Sequence, residues 1–214
     1  MKGLLKNNFY AAYANARVFC VFMVLLGAFA AAVISQSLVI GYVLTVIIGF
    51  SFNAAAVAKN EFISKWGKYK LTMPVRRADI VKSLFLNEVL WLLVGILFAG
   101  IETGLSWLLH GCPFDQPIDI LSMFALGISM SLFMGAVFFP MFYLGGEERS
   151  EVFLVISILC AFGIDLVIIN IVNDVLEPGI VNILIGAAVL VGSSLLAFGI
   201  SCLLSVVIFK RKEY

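Results

Sequence analysis

Apolar residues run along this chain in blocks rather than in alternation. Around residues 18–35, 38–58, 83–109, 118–144, 152–172 and 180–209 nearly every position is apolar, and polar side chains return only between the blocks. A helix needs about 20 such residues to cross a bilayer, so the pattern predicts an all-α polytopic membrane protein with six transmembrane helices. The third, fourth and sixth blocks exceed that length. They must tilt, protrude or lie partly outside the hydrocarbon. Only Gln36 and Ser37 separate the first two blocks, which makes that turn tight. The connections 110–117 and 173–179 carry turn residues and acidic groups, and are too short to form a domain. The chain therefore reads as one membrane domain over 1–214.

Charge orders these six spans. Of the fourteen Lys and Arg residues, Lys2, Lys6 and Arg17 precede the first span, and Arg149 follows the fourth. Lys210, Arg211 and Lys212 close the chain. Lys59, Lys65, Lys68, Lys70, Arg76, Arg77 and Lys82 all lie between the second and third spans. The opposite connections hold none. Basic residues mark the cytoplasmic side, which predicts both termini and the 59–82 loop inside. Residues 1–17 are expected to form an interfacial helix, with Leu5, Phe9 and Tyr13 on one face and basic groups toward anionic lipid.

Composition agrees with this class: 63% of residues are hydrophobic, 13% are charged, and mean hydropathy is +1.11. A soluble domain carries roughly 25% charged residues. Cys20, Cys112, Cys160 and Cys202 are far apart in sequence, so neither a disulfide framework nor a metal site is expected. The first apolar run reads as a span rather than a cleaved signal peptide.

Within the spans, small residues recur every four positions. Gly127, Ser131 and Gly135 do so in the fourth, Ser193, Ala197, Ser201 and Ser205 in the sixth, and Gly27 and Ala31 in the first. Such stripes let helices approach closely in lipid. Pro140 interrupts the fourth span and is expected to kink it. Asn53, Glu88, Asp165 and Asn170 are the intramembrane polar candidates, with Glu102 in an outer half. An ionised side chain at mid-bilayer costs roughly 2.5–3.5 kcal/mol on the insertion scale. Glu88 lies near enough to the inner end of its span to snorkel or to pair with a nearby Lys or Arg.

No phosphate-binding loop occurs in the chain. With one histidine, His110, in a turn, a metal or Ser–His protease has too few parts. The chain reads as a non-enzyme.

The loop after the second span is the most informative segment. It predicts a short helix over 61–71, followed by Met73-Pro74 and a new helix entering the third span, where a proline is tolerated in the first turn. Phe62, Trp66, Tyr69 and Met73 are spaced by four, three and four, so they share a face. Glu61 stands at the helix start, and Lys65 lies among the aromatics. An interfacial helix and a docking helix for a cytoplasmic partner both suit this pattern.

Here the sequence resembles the small six-span permeases of the ABC-2 type, including those of phenol-soluble modulin exporters. The resemblance rests on the opening Met1-Lys-Gly-Leu-Leu-Lys6, on Glu61 followed by Leu71-Thr-Met-Pro-Val-Arg-Arg-Ala-Asp-Ile-Val-Lys-Ser83, and on the six-span layout. Met73 and Arg76 depart from the usual Leu and Ser. The resemblance implies that 59–82 carries the coupling helix, with Glu61, Phe62, Lys65, Trp66, Tyr69 and Met73 contacting a separate ATP-binding cassette subunit. It also implies pairing with a second permease, as homodimer or heterodimer, in a bacterial plasma membrane among lipids. ATP and Mg would then sit on the partner ATPase, this chain binding no cofactor itself and no nucleic acid. The substrates implied are amphipathic peptides or similar hydrophobic molecules, moved outward. An alternative reading is the substrate-capture membrane subunit of a vitamin importer, using Asp165 and Asn170. It leaves the basic, aromatic loop without a role. A third is a membrane protein of structural or immunity type with no transport.

Overall fold

The computed structural model describes residues 2–33, 35–63, 76–111, 114, 116–145, 149–176 and 179–211. Among them there are six α-helices and no strand. They are α1 (Lys2–Ala32), α2 (Gln36–Ile63), α3 (Arg77–His110), α4 (Ile118–Gly145), α5 (Ser150–Val175) and α6 (Ile180–Arg211). Helices dominate because every backbone N–H and C=O in lipid must be satisfied within its own segment. Helices α2 to α6 are each long and apolar enough to cross a bilayer. Helix α1 is a sixth span only when its two parts are taken together, since Gly3–Tyr13 and Ala16–Ala32 meet at 54°.

The N-terminal segment packs one face against the bundle. Asn8, Ala12 and Ala16, spaced by four, are buried against the bundle, while Tyr10 and Tyr13 are exposed. The Asn8 amide donates to Ser83 Oγ at 3.1 Å, and Ser83 in turn donates to the Ile80 carbonyl at 2.7 Å. Phe9 stacks on Trp91 with ring centroids 5.1 Å apart, and Phe50 of α2 stacks near the same indole at 5.7 Å. Such aromatic pairs add about 0.5–1.5 kcal/mol each beyond burial. The segment is thus tied to α3 by a polar contact and an aromatic one.

Both ends of the bundle can be identified from cross-links. At one end Asn8 meets Ser83, and the Arg77 guanidinium donates to the Lys210 carbonyl at 3.4 Å. The N-terminal segment, the start of α3 and the C-terminal end of α6 therefore lie together, and α2 runs toward them. At the far end His110 Nε2 donates to the Ala31 carbonyl at 2.9 Å, tying the end of α3 to the end of α1.

Helix α4 is deeply enclosed: residues 131–135 are all buried. Half of its apolar window is buried, against 17% for α5 and 22% for α6. So α4 is the central post, packed on α2, α3, α5 and α6, while α5 and α6 present broad apolar surfaces outward. Its small-residue stripe serves packing inside this chain. Gly127 faces Ile47 of α2, the Ser131 hydroxyl bonds to Ser51 of α2, and Gly135 lies against Glu88 of α3. The α6 stripe does the same, with Ser201 donating to the Ala136 carbonyl. In α1, Gly27 abuts Tyr42 of α2 and Ala31 is buried. Pro140 lies within α4, which runs unbroken from Ile118 to Gly145.

Candidate functional site

Three carboxylates lie inside the helical bundle. Glu88 is 0% exposed, Glu102 and Asp165 each 3%. Among the described residues, neither oxygen of Glu88 or Glu102 has a hydrogen-bond partner, and the Asp165 carboxyl faces the Ser129 hydroxyl. Helical register explains how they enter. On α3, Asn87, Trp91, Gly95 and Ala99 recur every four residues, Glu88 and Leu92 flank them, Glu102 follows Ala99 by three, and together they form the buried face. Glu88 fits there because Gly135 on α4 has no side chain, and a Cβ at that position would overlap the carboxylate. The expectation that Glu88 snorkels or pairs with a basic residue is therefore corrected. Gly135 opens a socket toward the protein interior, and Glu88 fills it. Beside it both polar atoms of Asn87 and the Trp91 Nε1 are also unpartnered.

Glu102 lies one helix away from Tyr42 of α2, toward the far end. Asp165 lies beside Ser129 of α4, whose hydroxyl is already committed to the Leu126 carbonyl at 3.0 Å. The other two polar candidates are not brought to this interior. Asn53 is half-buried, and its amide donates to the Gly49 carbonyl at 2.9 Å. Asn170 is exposed on α5 and donates to the Leu166 carbonyl at 2.9 Å. Five residues of helix turn Asn170 well away from Asp165, about 140° round the axis, so a joint site for these two is not formed.

The loop candidates fall differently. Glu61 and Phe62 belong to the last turn of α2. Their side chains, and Lys65, Trp66, Tyr69 and Met73, lie outside the described residues. The flanking residues Ile63 and Arg77 end α2 and begin α3, at the end of the bundle where both terminal segments lie.

One feature escaped the sequence reading. At the far end, α2, α4, α5 and α6 splay around a cavity of about 470 Å³. Gln36, Phe114, Asp119, Asn173 and Asn182 stand near the mouth, and Leu126, Ile168 and Leu190 lie deeper. The Asn182 amide donates to Asn173 Oδ1 at 3.3 Å across the α5–α6 turn. These residues come from four helices and the connection before α4, so no local motif announces them. The only trace in sequence is a polar residue in the first turn or two of α2, α4 and α6.

A helical bundle with five or six candidate spans defines the class of polytopic membrane proteins. Within that class, residues 3–210 match the family described as ABC-2 family transporter protein. The match covers nearly the whole chain, and the protein belongs to that family. It is a multi-pass membrane permease component of an ATP-binding cassette transporter, a role that implies association with a separate ATP-binding subunit. No curated protein and no solved structure matches the chain.

Proposed function

We propose that this permease works as one half of an exporter in a bacterial plasma membrane, moving amphipathic peptides or similar hydrophobic molecules outward. Its partners are a second permease, identical or related, and two cytoplasmic ATPase subunits that hold ATP and Mg. The observation that carries the reading is the connection between α2 and α3. The stretch 59–82 around it holds seven of the fourteen basic residues and the aromatic set Phe62, Trp66 and Tyr69. Helix α3 begins at the end of the bundle shared by the N-terminal segment and the end of α6.

The packing of α2 on α3 and α4 suits this connection to carry force. Ile47 sits between Gly95 of α3 and Gly127 of α4. A push on the connection therefore reaches a close-packed three-helix unit, not a single loose helix. Aromatic residues supply the buried anchors that dominate protein interfaces. Basic neighbours such as Lys65, Lys68 and Lys70 speed encounter with an acidic rim.

The test is a double substitution, Trp66→Ala with Tyr69→Ala. Insertion and folding are expected to hold, while ATPase binding weakens about tenfold to a hundredfold, at roughly 1.4 kcal/mol per tenfold. Substrate-dependent ATP hydrolysis in vesicles falls with it, and Lys212→Ala changes little. Undiminished binding and export in the double variant would show the loop to be a membrane anchor alone.

A further inference from the structure

The far-end cavity has a shape and a charge that select a ligand. Its volume, about 470 Å³, lies within the range of roughly 300–1,000 Å³ typical of small-molecule sites. From Asp119 to Leu126 its wall on α4 runs seven residues, and from Asn182 to Leu190 its wall on α6 runs eight, about 10–12 Å of helix. The deeper part is apolar. Among the described residues the mouth carries the carboxylate of Asp119 with the side-chain amides of Gln36, Asn173 and Asn182, and no Lys or Arg lines it. Asp174 stands exposed near by. Among the described residues, the basic ones belong to segments toward the opposite end of the bundle.

An apolar slot with a carboxylate at its mouth, and no basic side chain among its described lining residues, disfavours an anion and favours a cation.

We propose that this cavity binds a single-tailed amphiphile with an ammonium head. Its tail lies between Leu126, Ile168 and Leu190, and its head rests at Asp119 among the amides. The site is complete within one chain and needs no ATPase, so it stands or falls independently of the export reading.

The experiment uses the full-length permease in detergent, with radiolabelled dodecylamine as the probe in equilibrium dialysis. Dodecanol and dodecanoate serve as the neutral and anionic comparators. Saturable binding of one dodecylamine per chain is expected, with dodecanoate at least tenfold weaker. Asp119→Asn is expected to abolish the preference for the amine over the alcohol, and Asp174→Asn to leave it intact. Ala187→Phe, which fills the slot, is expected to remove binding of both amine and alcohol. Should that variant fail to fold by thermal melting, Ser122→Phe near the mouth replaces it. Repeating the titration in nanodiscs with and without phosphatidylethanolamine separates the two sources of such a head. Competition there assigns the site to a membrane lipid, and its absence to a soluble amphiphile. Non-saturable uptake, equal binding of dodecanoate, or an unchanged amine preference in Asp119→Asn would overturn the proposal.

Discussion

The Ser201 hydroxyl of α6 donates to the Ala136 carbonyl of α4 at 2.6 Å, and that carbonyl is the one left without a helical donor by Pro140. A proline at position i removes the N–H that would bond to the carbonyl of residue i−4. In lipid no water takes its place. The bond therefore meets a backbone demand created by a residue on another helix, and it fixes the register of α6 against α4.

This pairing predicts a coupling. Ser201→Ala is expected to destabilise the protein by about 1–2 kcal/mol, at the upper end of hydrogen bonds between membrane helices. In a Pro140→Ala background the N–H is restored and the same substitution is expected to cost little. Unfolding of all four variants in detergent measures this. Equal cost of Ser201→Ala in both backgrounds removes the explanation.

A second cycle joins Gly135 and Glu88. The Cβ of Gly135→Ala would overlap the Glu88 carboxylate, which is fully buried and has little room to retreat. That substitution is expected to destabilise by about 1–3 kcal/mol. With Glu88→Ala in place the clash is gone, and Gly135→Ala is expected to be neutral or stabilising, by up to about 1 kcal/mol from helix propensity. Additive costs in the two single and one double variants would contradict the socket.

Gly95 offers a comparison within one helix. A Cβ there would lie 3.0 Å from Ile47 Cα and 3.2 Å from the Val46 carbonyl oxygen, both backbone atoms of α2. Around Gly100 and Gly104 nothing lies within 4 Å. Gly95→Ala is expected to lower the melting temperature, and Gly100→Ala to raise it or leave it unchanged. A Gly95→Ala protein as stable as the parent would mean that α2 and α3 do not pack this closely.

Sidedness is tested by labelling. Charge asymmetry places Cys112 outside and the 59–82 loop inside. In intact cells Cys112 is expected to react with a membrane-impermeant maleimide. A Lys68→Cys protein carrying Cys112→Ala is expected to react only after the membrane is opened. The opposite pattern inverts the protein and ends the docking role of its loop.

The sequence by itself determined the class of fold, the number of apolar segments and the sharing of one end by the terminal segments and the 59–82 connection. These follow from the requirement that a lipid-spanning backbone be helical and from the uneven placement of Lys and Arg, both properties of single segments. It also carried the resemblance to ABC-2 type permeases, which family membership bears out at that level. The tertiary structure decided what depends on which faces meet. Residues 2–17 read as an amphipathic strip fit for an interface, but Asn8 and Phe9 find Ser83 and Trp91 on a helix more than seventy residues away. Glu88 looked close enough to the interface to reach it, but Gly135 on a separate helix gives its carboxylate a place inside. Asp165 and Asn170 share a segment, yet helical rotation separates them. The far-end cavity arises where four helices diverge. Long-range packing set each of these, because neighbouring side chains in space, not in sequence, fix where a polar group in lipid can go.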